Sequence, residues 1–227
     1  MGGRRYWGRA LIRRMREPDN SLTHLAGVLL SLVALGVLLG LALRAGSPRH
    51  VVAFVIFGLS LVALYTASTL YHALPLGPVG VARLLRLDHI MIFVLIAGSY
   101  TPFCLIALTG GWRWGLLGGV WALAAGGIAL KIGWMHAPVL LSTAIYVAMG
   151  WLAVIAAPPL LATVPLRGLA WVLAGGLAYT LGSVIFAVER PRLKPGVFGA
   201  HALWHLCVIA GSACHVWAVA RYLTPLA

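Results

Sequence analysis

Hydrophobic side chains in this chain come in long unbroken runs, without the alternation of half-buried strands or the single apolar stripe of soluble helices. Seven runs, at about 22–43, 51–74, 86–108, 113–133, 138–157, 166–188 and 199–222, reach the roughly 20 residues that a helix needs to cross a hydrocarbon core. The connections between them are short and marked by Pro, Gly and Arg, as in RAGSPRH, PLGPVGVAR, ALTGGWR, APP and ERPRLKPG, and none is long enough for a separate domain. Helix is the open-chain structure that satisfies its own backbone in lipid. The pattern therefore predicts an all-α membrane protein: a seven-transmembrane helix bundle over 21–227, preceded by a basic segment at 1–20.

Composition agrees with the pattern. Hydrophobic residues make up 62% of the chain and charged ones 9%, and the mean hydropathy is +0.98, outside the range of soluble globular proteins. Charge then sets a direction. Placing the N-terminus in the cytoplasm puts twelve of the 17 Lys and Arg residues in inside segments and five outside, so the positive-inside rule predicts a cytoplasmic N-terminus and an external C-terminus. The formal net charge of +13 thus speaks for acidic lipid headgroups. No nucleic-acid-binding motif accompanies it.

The Arg-rich start resembles the first part of a signal peptide, but the apolar run that follows is too long to be cleaved as one, which predicts an uncleaved first span. Tyr6, Trp7, Leu11 and Met15 among the arginines of 6–16 fit either an interfacial helix or a plain topology signal. The three cysteines, Cys104, Cys207 and Cys214, form no CxxC pair and fall inside spans, as small apolar packing residues do. The G-x-x-x-G pairs at Gly36/Gly40 and Gly115/Gly119 predict ordinary close helix packing.

Candidate chemistry rests on polar residues where lipid should be. Of four acidic residues, Glu17, Asp19 and Glu189 sit in polar stretches beside Arg. Asp88 instead enters an apolar run, and an ionisable group there implies function and a partner. Under the predicted topology, Ser68 and His72 end the second span, Asp88 starts the third, and His201 and His205 start the seventh, all at the cytoplasmic level. His201 and His205 are four apart and share one helix face. With His72 they make three imidazole ligands for one ion, the open arrangement of a catalytic Zn2+ site. Asp88 would stand behind them as base to the metal water. Ser68, one turn before His72, would orient that imidazole, bond the water or stabilise an oxyanion.

These residues carry a resemblance. EPDNSLTHLAG at 17–27, STLYH at 68–72, LDH at 87–89, GSYTPF at 98–103 and HALWHLCVIAGSACH at 201–215 resemble the progestin and adipoQ receptor family, in its bacterial hemolysin III-like branch. The resemblance implies seven helices with the N-terminus inside, a zinc on the residues matching His72, His201 and His205, and Ser68 and Asp88 beside it. Related adiponectin receptors and alkaline ceramidases look like hydrolases of lipid amides. The expected function is therefore a zinc-dependent hydrolase of lipid amides or esters in the bacterial inner membrane, with membrane lipids, a lipid amide or a free fatty acid as cavity partners. The competing expectation is a non-enzymatic sensor or membrane-integrity protein pinned by structural zinc.

Four further residues need a place. Glu17 and Asn20 precede the first span together with Ser21 and Thr23, a helix-start sequence, which predicts capping and an ion pair with a nearby Arg for Glu17. His24 is expected at the cytoplasmic mouth of the site. His215, ten residues or about 15 Å beyond His205, is expected as a core polar group or a cavity contact. His89 must point about 100° from Asp88, toward a supporting contact or the headgroups.

Overall fold

Proline opens the first three helices, at Pro18, Pro48 and Pro78, where the missing N–H costs nothing and the fixed φ already suits a helix. The computed structural model of the chain describes residues 14–191 and 199–226. Seven helices are long and apolar enough to cross a membrane: α1 Pro18–Ala45, α2 Pro48–Ala73, α3 Pro78–Ala107, α4 Gly110–Gly133, α5 Val139–Thr163, α6 Leu166–Val188 and α7 Ala200–Leu223. Their outer faces are apolar, with Leu29, Val33, Leu140 and Leu166 all strongly exposed, as a bundle wrapped in hydrocarbon requires. The expected interfacial helix at 6–16 lies mostly outside the described residues.

Several boundaries differ from those the sequence predicts. The first span starts at Pro18, so Asp19 and Asn20 belong to its first turn and not to the preceding segment. α3 starts at Pro78, which takes in Arg83 and Arg86 on its first turns. Lys131, near the cytoplasmic end of the predicted fourth span, is buried in α4 and donates to Ser142 Oγ at 2.7 Å. The APP segment is no connection either. α5 loosens into a 3₁₀ stretch at Leu152–Ala156 and resumes as helix through Pro158 and Pro159. Tyr100 repairs this break: its hydroxyl lies 2.9 Å from Met149 O and 2.6 Å from Gly150 O and accepts the Ala153 N–H at 2.9 Å. Freed backbone groups inside a bundle need such a partner.

The glycine pairs at Gly36/Gly40 and Gly115/Gly119 have open space where a Cβ would go, so they are not the close contacts expected. Close approach occurs at other glycines, among them Gly27, where a Cβ would come within 2.5 Å of the Tyr65 ring and hold α1 off α2.

α2 and α3 are the most enclosed spans. α2 runs antiparallel to α7 and is fastened to it at two levels outside the site. His50 Nε2 donates to Leu223 O at 3.2 Å near one end, and Tyr65 Oη donates to Ser212 Oγ at 2.7 Å midway. Continuing this register brings His72 level with His205.

Candidate metal centre

His72 and His205 meet because of that register, and His201 joins them from one turn earlier on α7. Ring centroids are 4.9 Å apart for His72 and His201, 5.1 Å for His72 and His205, and 4.7 Å for His201 and His205. One ligand atom from each lies within 4.8 Å of the others, close enough to hold a metal ion. All three Nε2 atoms are buried and have no hydrogen-bond partner among the described residues.

The partners of the other ring nitrogens explain why Nε2 is free. His72 Nδ1 lies 2.6 Å from Glu17 Oε2, and an ionised carboxylate only accepts, so the proton sits on Nδ1. His205 Nδ1 lies 3.2 Å from the Asn20 carbonyl, again only an acceptor, and 3.0 Å from Thr23 Oγ1. Thr23 spends its own proton on the Asn20 and Asp19 carbonyls. Both imidazoles therefore turn a bare Nε2 lone pair toward the common centre. This is the arrangement of metal-binding histidines, whose far nitrogen donates to a carboxylate or carbonyl that fixes tautomer and ring orientation. The donor set fits a metal.

The Glu17 carboxylate is held in place by the backbone. The Glu17 N–H donates to His72 O at 2.9 Å and the Arg16 N–H to Ala73 O at 3.4 Å, which ties the chain before α1 to the end of α2. The expected ion pair forms, with Arg16 Nη2 at 3.1 Å from Glu17 Oε1. The expected cap does not, since Glu17 makes no side-chain capping bond. Burial alone would raise the Glu17 pKa; the Asn20 amide, then the His72 ring and the Arg16 charge, outweigh it and hold the carboxyl below its ordinary value. The supporting roles of Glu17, Asn20 and Thr23 went unread in the sequence. Their signal was there, as polar side chains at 17, 20, 23 and 24 sharing one helix face.

Ser68 is buried with an unpartnered Oγ. It does not orient His72, because Glu17 does. Asp88 is 6% exposed and stands on the wall of a cavity of about 460 Å³ enclosed by α3, α5, α6 and α7. His24 lines the same cavity and is buried, so it is not at a mouth. Its ring stacks on His205 at 3.5 Å between centroids and links the three-histidine group to the cavity. Most of the wall is apolar. Val154 and Leu161 on α5 and Leu173 on α6 both line the cavity and face outward, so it opens sideways between those helices. His89 Nδ1 donates to Leu85 O within its own helix. His215 lines the cavity and donates from Nε2 to Val172 O at 3.2 Å, as a polar cavity contact. The cysteines are free, and Cys104 is fully buried.

Fold and site together define a multi-pass membrane protein with three histidines, two of them fully buried, grouped closely enough that they could hold a metal ion. A family model described as Haemolysin-III related matches residues 12–216, and the chain belongs to that family. It is 40% identical to Hemolysin-3 of Bacillus cereus over 211 residues, 93% of each chain. It is also 40% identical to the Hemolysin-3 homolog of Bacillus subtilis over 206 residues, 91% of this chain and 93% of that one. The human monocyte to macrophage differentiation factor is 29% identical over 180 residues, covering 74% of this chain and 69% of its own.

Proposed function

We propose that the chain is a zinc-dependent integral membrane hydrolase that cleaves an amide or ester bond of a lipid. The observation that carries this reading is the group of three bare, buried Nε2 atoms, joined through the His24 ring stacked on His205 to an apolar cavity whose wall bears Asp88. Three neutral imidazoles from His72, His201 and His205 leave a coordination position open, as catalytic zinc sites do and structural ones do not. Zinc held there would supply an activated water and polarise a carbonyl. Asp88 is the base for that water. Ser68 Oγ–H donates to the water or to the oxyanion. The cavity receives the acyl chain through the opening between α5 and α6. Purified protein should cleave at least one member of a panel of ceramides, N-acyl amino lipids and lipid esters, and a metal-stripped sample should not.

A second reading has a specific observation behind it. The three histidines come from α2 and α7, and their partners Glu17 and Thr23 from the start of α1 and the residue before it, so a structural zinc would pin α2 to α7 and, through these partners, to α1 in a non-enzymatic sensor or membrane-integrity protein. The names of the two Bacillus relatives sit with this reading. Absence of turnover across the whole panel would favour it.

We further propose the bacterial inner membrane as the location, with the N-terminus cytoplasmic. Cysteines introduced at residue 2 and after Ala227 should then react from opposite sides of the membrane, the first from the inside. Labelling of both from one side would overturn the topology.

A further inference from the structure

Most polar groups on the cavity wall are already engaged. Ser99 Oγ donates to Ile96 O at 2.8 Å. Thr180 Oγ1 donates to Gly176 O at 2.8 Å and accepts Trp151 Nε1 at 3.0 Å, and Tyr100 serves the break in α5. Three groups differ: His24, whose ring is stacked on His205 at the metal-centre end, and, farther along α7, the pair Tyr179 and His215. His215 Nε2 faces the Val172 carbonyl at 3.2 Å, which only accepts, so the proton is on Nε2 and Nδ1 is a bare lone pair. That Nδ1 is buried and has no partner among the described residues.

Beside it, with ring centroids 5.4 Å apart, Tyr179 ends a file of hydroxyls. Tyr65 Oη donates to Ser212 Oγ at 2.7 Å, and Ser212 Oγ lies 2.9 Å from Tyr179 Oη. With Tyr65 donating to it, Ser212 can pass its own proton to Tyr179, which frees the Tyr179 O–H to donate elsewhere. Both rings are seated against glycine. A Cβ on Gly175 would come within 2.8 Å of His215 Cδ2, and one on Gly211 within 2.7 Å of the Tyr179 ring.

Holding α6 against α7 accounts for the Val172 bond and for the link from Tyr179 to Ser212. It leaves the bare Nδ1 unexplained, and a buried unpaired acceptor is costly. We infer that His215 and Tyr179 form a second polar subsite of the cavity, built for a hydroxyl on the hydrocarbon chain of its occupant. The hydroxyl proton is donated to His215 Nδ1, and its oxygen accepts from Tyr179 Oη. This rests on the proposed reading of the cavity as an acyl-chain site and adds the substrate class. His215 lies about 15 Å along α7 from His205, a span that an extended chain of ~1.5 Å carbon–carbon bonds covers in roughly twelve carbons. The class is a mid-chain hydroxylated fatty acid or its amide. A ketone at the same carbon accepts but cannot donate, and would leave Nδ1 unpaired.

The test is competition of stearate, 12-hydroxystearate and 12-oxostearate against a fluorescent fatty acid on the purified full chain. The hydroxy acid should bind at least about fivefold tighter than stearate, the net worth of one or more buried hydrogen bonds, and the keto acid, which leaves His215 Nδ1 unpaired, should gain clearly less than the hydroxy acid. Tyr179→Phe, which removes one oxygen, and His215→Leu should each abolish the preference and leave stearate binding unchanged. A wild type without preference, or a preference that survives both substitutions, overturns the subsite. So does an equal gain for the keto acid. Failure of stearate itself to bind overturns the acyl-chain reading along with it, whereas normal stearate binding without a hydroxyl preference overturns the subsite alone.

Discussion

Replacing His201 and His205 together by alanine should take the purified protein from about one zinc per chain to none, because one imidazole cannot hold an ion that three were placed to share. Metal analysis of wild type and variant decides it. Equal, negligible zinc in both would remove the metal centre altogether. A finer measurement separates the ligands from what holds them. Glu17→Gln keeps an oxygen acceptor for His72 Nδ1 but removes the charge that makes the His72 imidazole a better ligand. Zinc affinity should then fall by about 10- to 100-fold, the usual cost of losing such a carboxylate. An unchanged affinity would reduce the 2.6 Å contact between Glu17 and His72 to helix tethering.

The larger effect on turnover is expected from Asp88→Asn. The substitution keeps size and hydrogen-bonding capacity and removes the proposed base, and Asp88 lies outside the group of three histidines that could hold an ion. Zinc should stay bound while hydrolysis of a lipid amide falls by about 10²-fold or more, the scale of a positioned general base. His201→Ala, in contrast, should lose metal and turnover together. The pattern that would sink a catalytic Asp88 is full turnover in Asp88→Asn. If Asp88→Asn instead lowers zinc occupancy or thermal stability and the wild type cleaves nothing, the zinc is structural.

Helix type and number were legible because an apolar run of membrane-spanning length has few other uses. The starts were less so. At Pro78–Arg86 the charged and Gly/Pro residues suggest a connection, yet proline is well placed in a first helical turn, so α3 begins earlier than its apolar run. The Pro158–Pro159 pair misled in the same way, since the Tyr100 hydroxyl that repairs the break comes from another helix. Within the site, the grouping of the three histidines could be read from residue type and depth. Glu17 and Thr23 were missed despite their shared polar face, because local reasoning assigned them to a helix start while their partners are 55 and 182 residues away. His24 went astray for the same reason: its position is set by stacking on His205.

The tie between Thr23 on the first helix and His205 on the last has a consequence for biosynthesis. Helices enter the membrane in order as the chain is made, and two of the three ligands lie on the final one. A nascent chain that has delivered six helices therefore offers the cation a single imidazole and no closed shell. On the proposed reading, metal capture would be the last event of assembly, and a bound ion would mark chains whose insertion has run to completion.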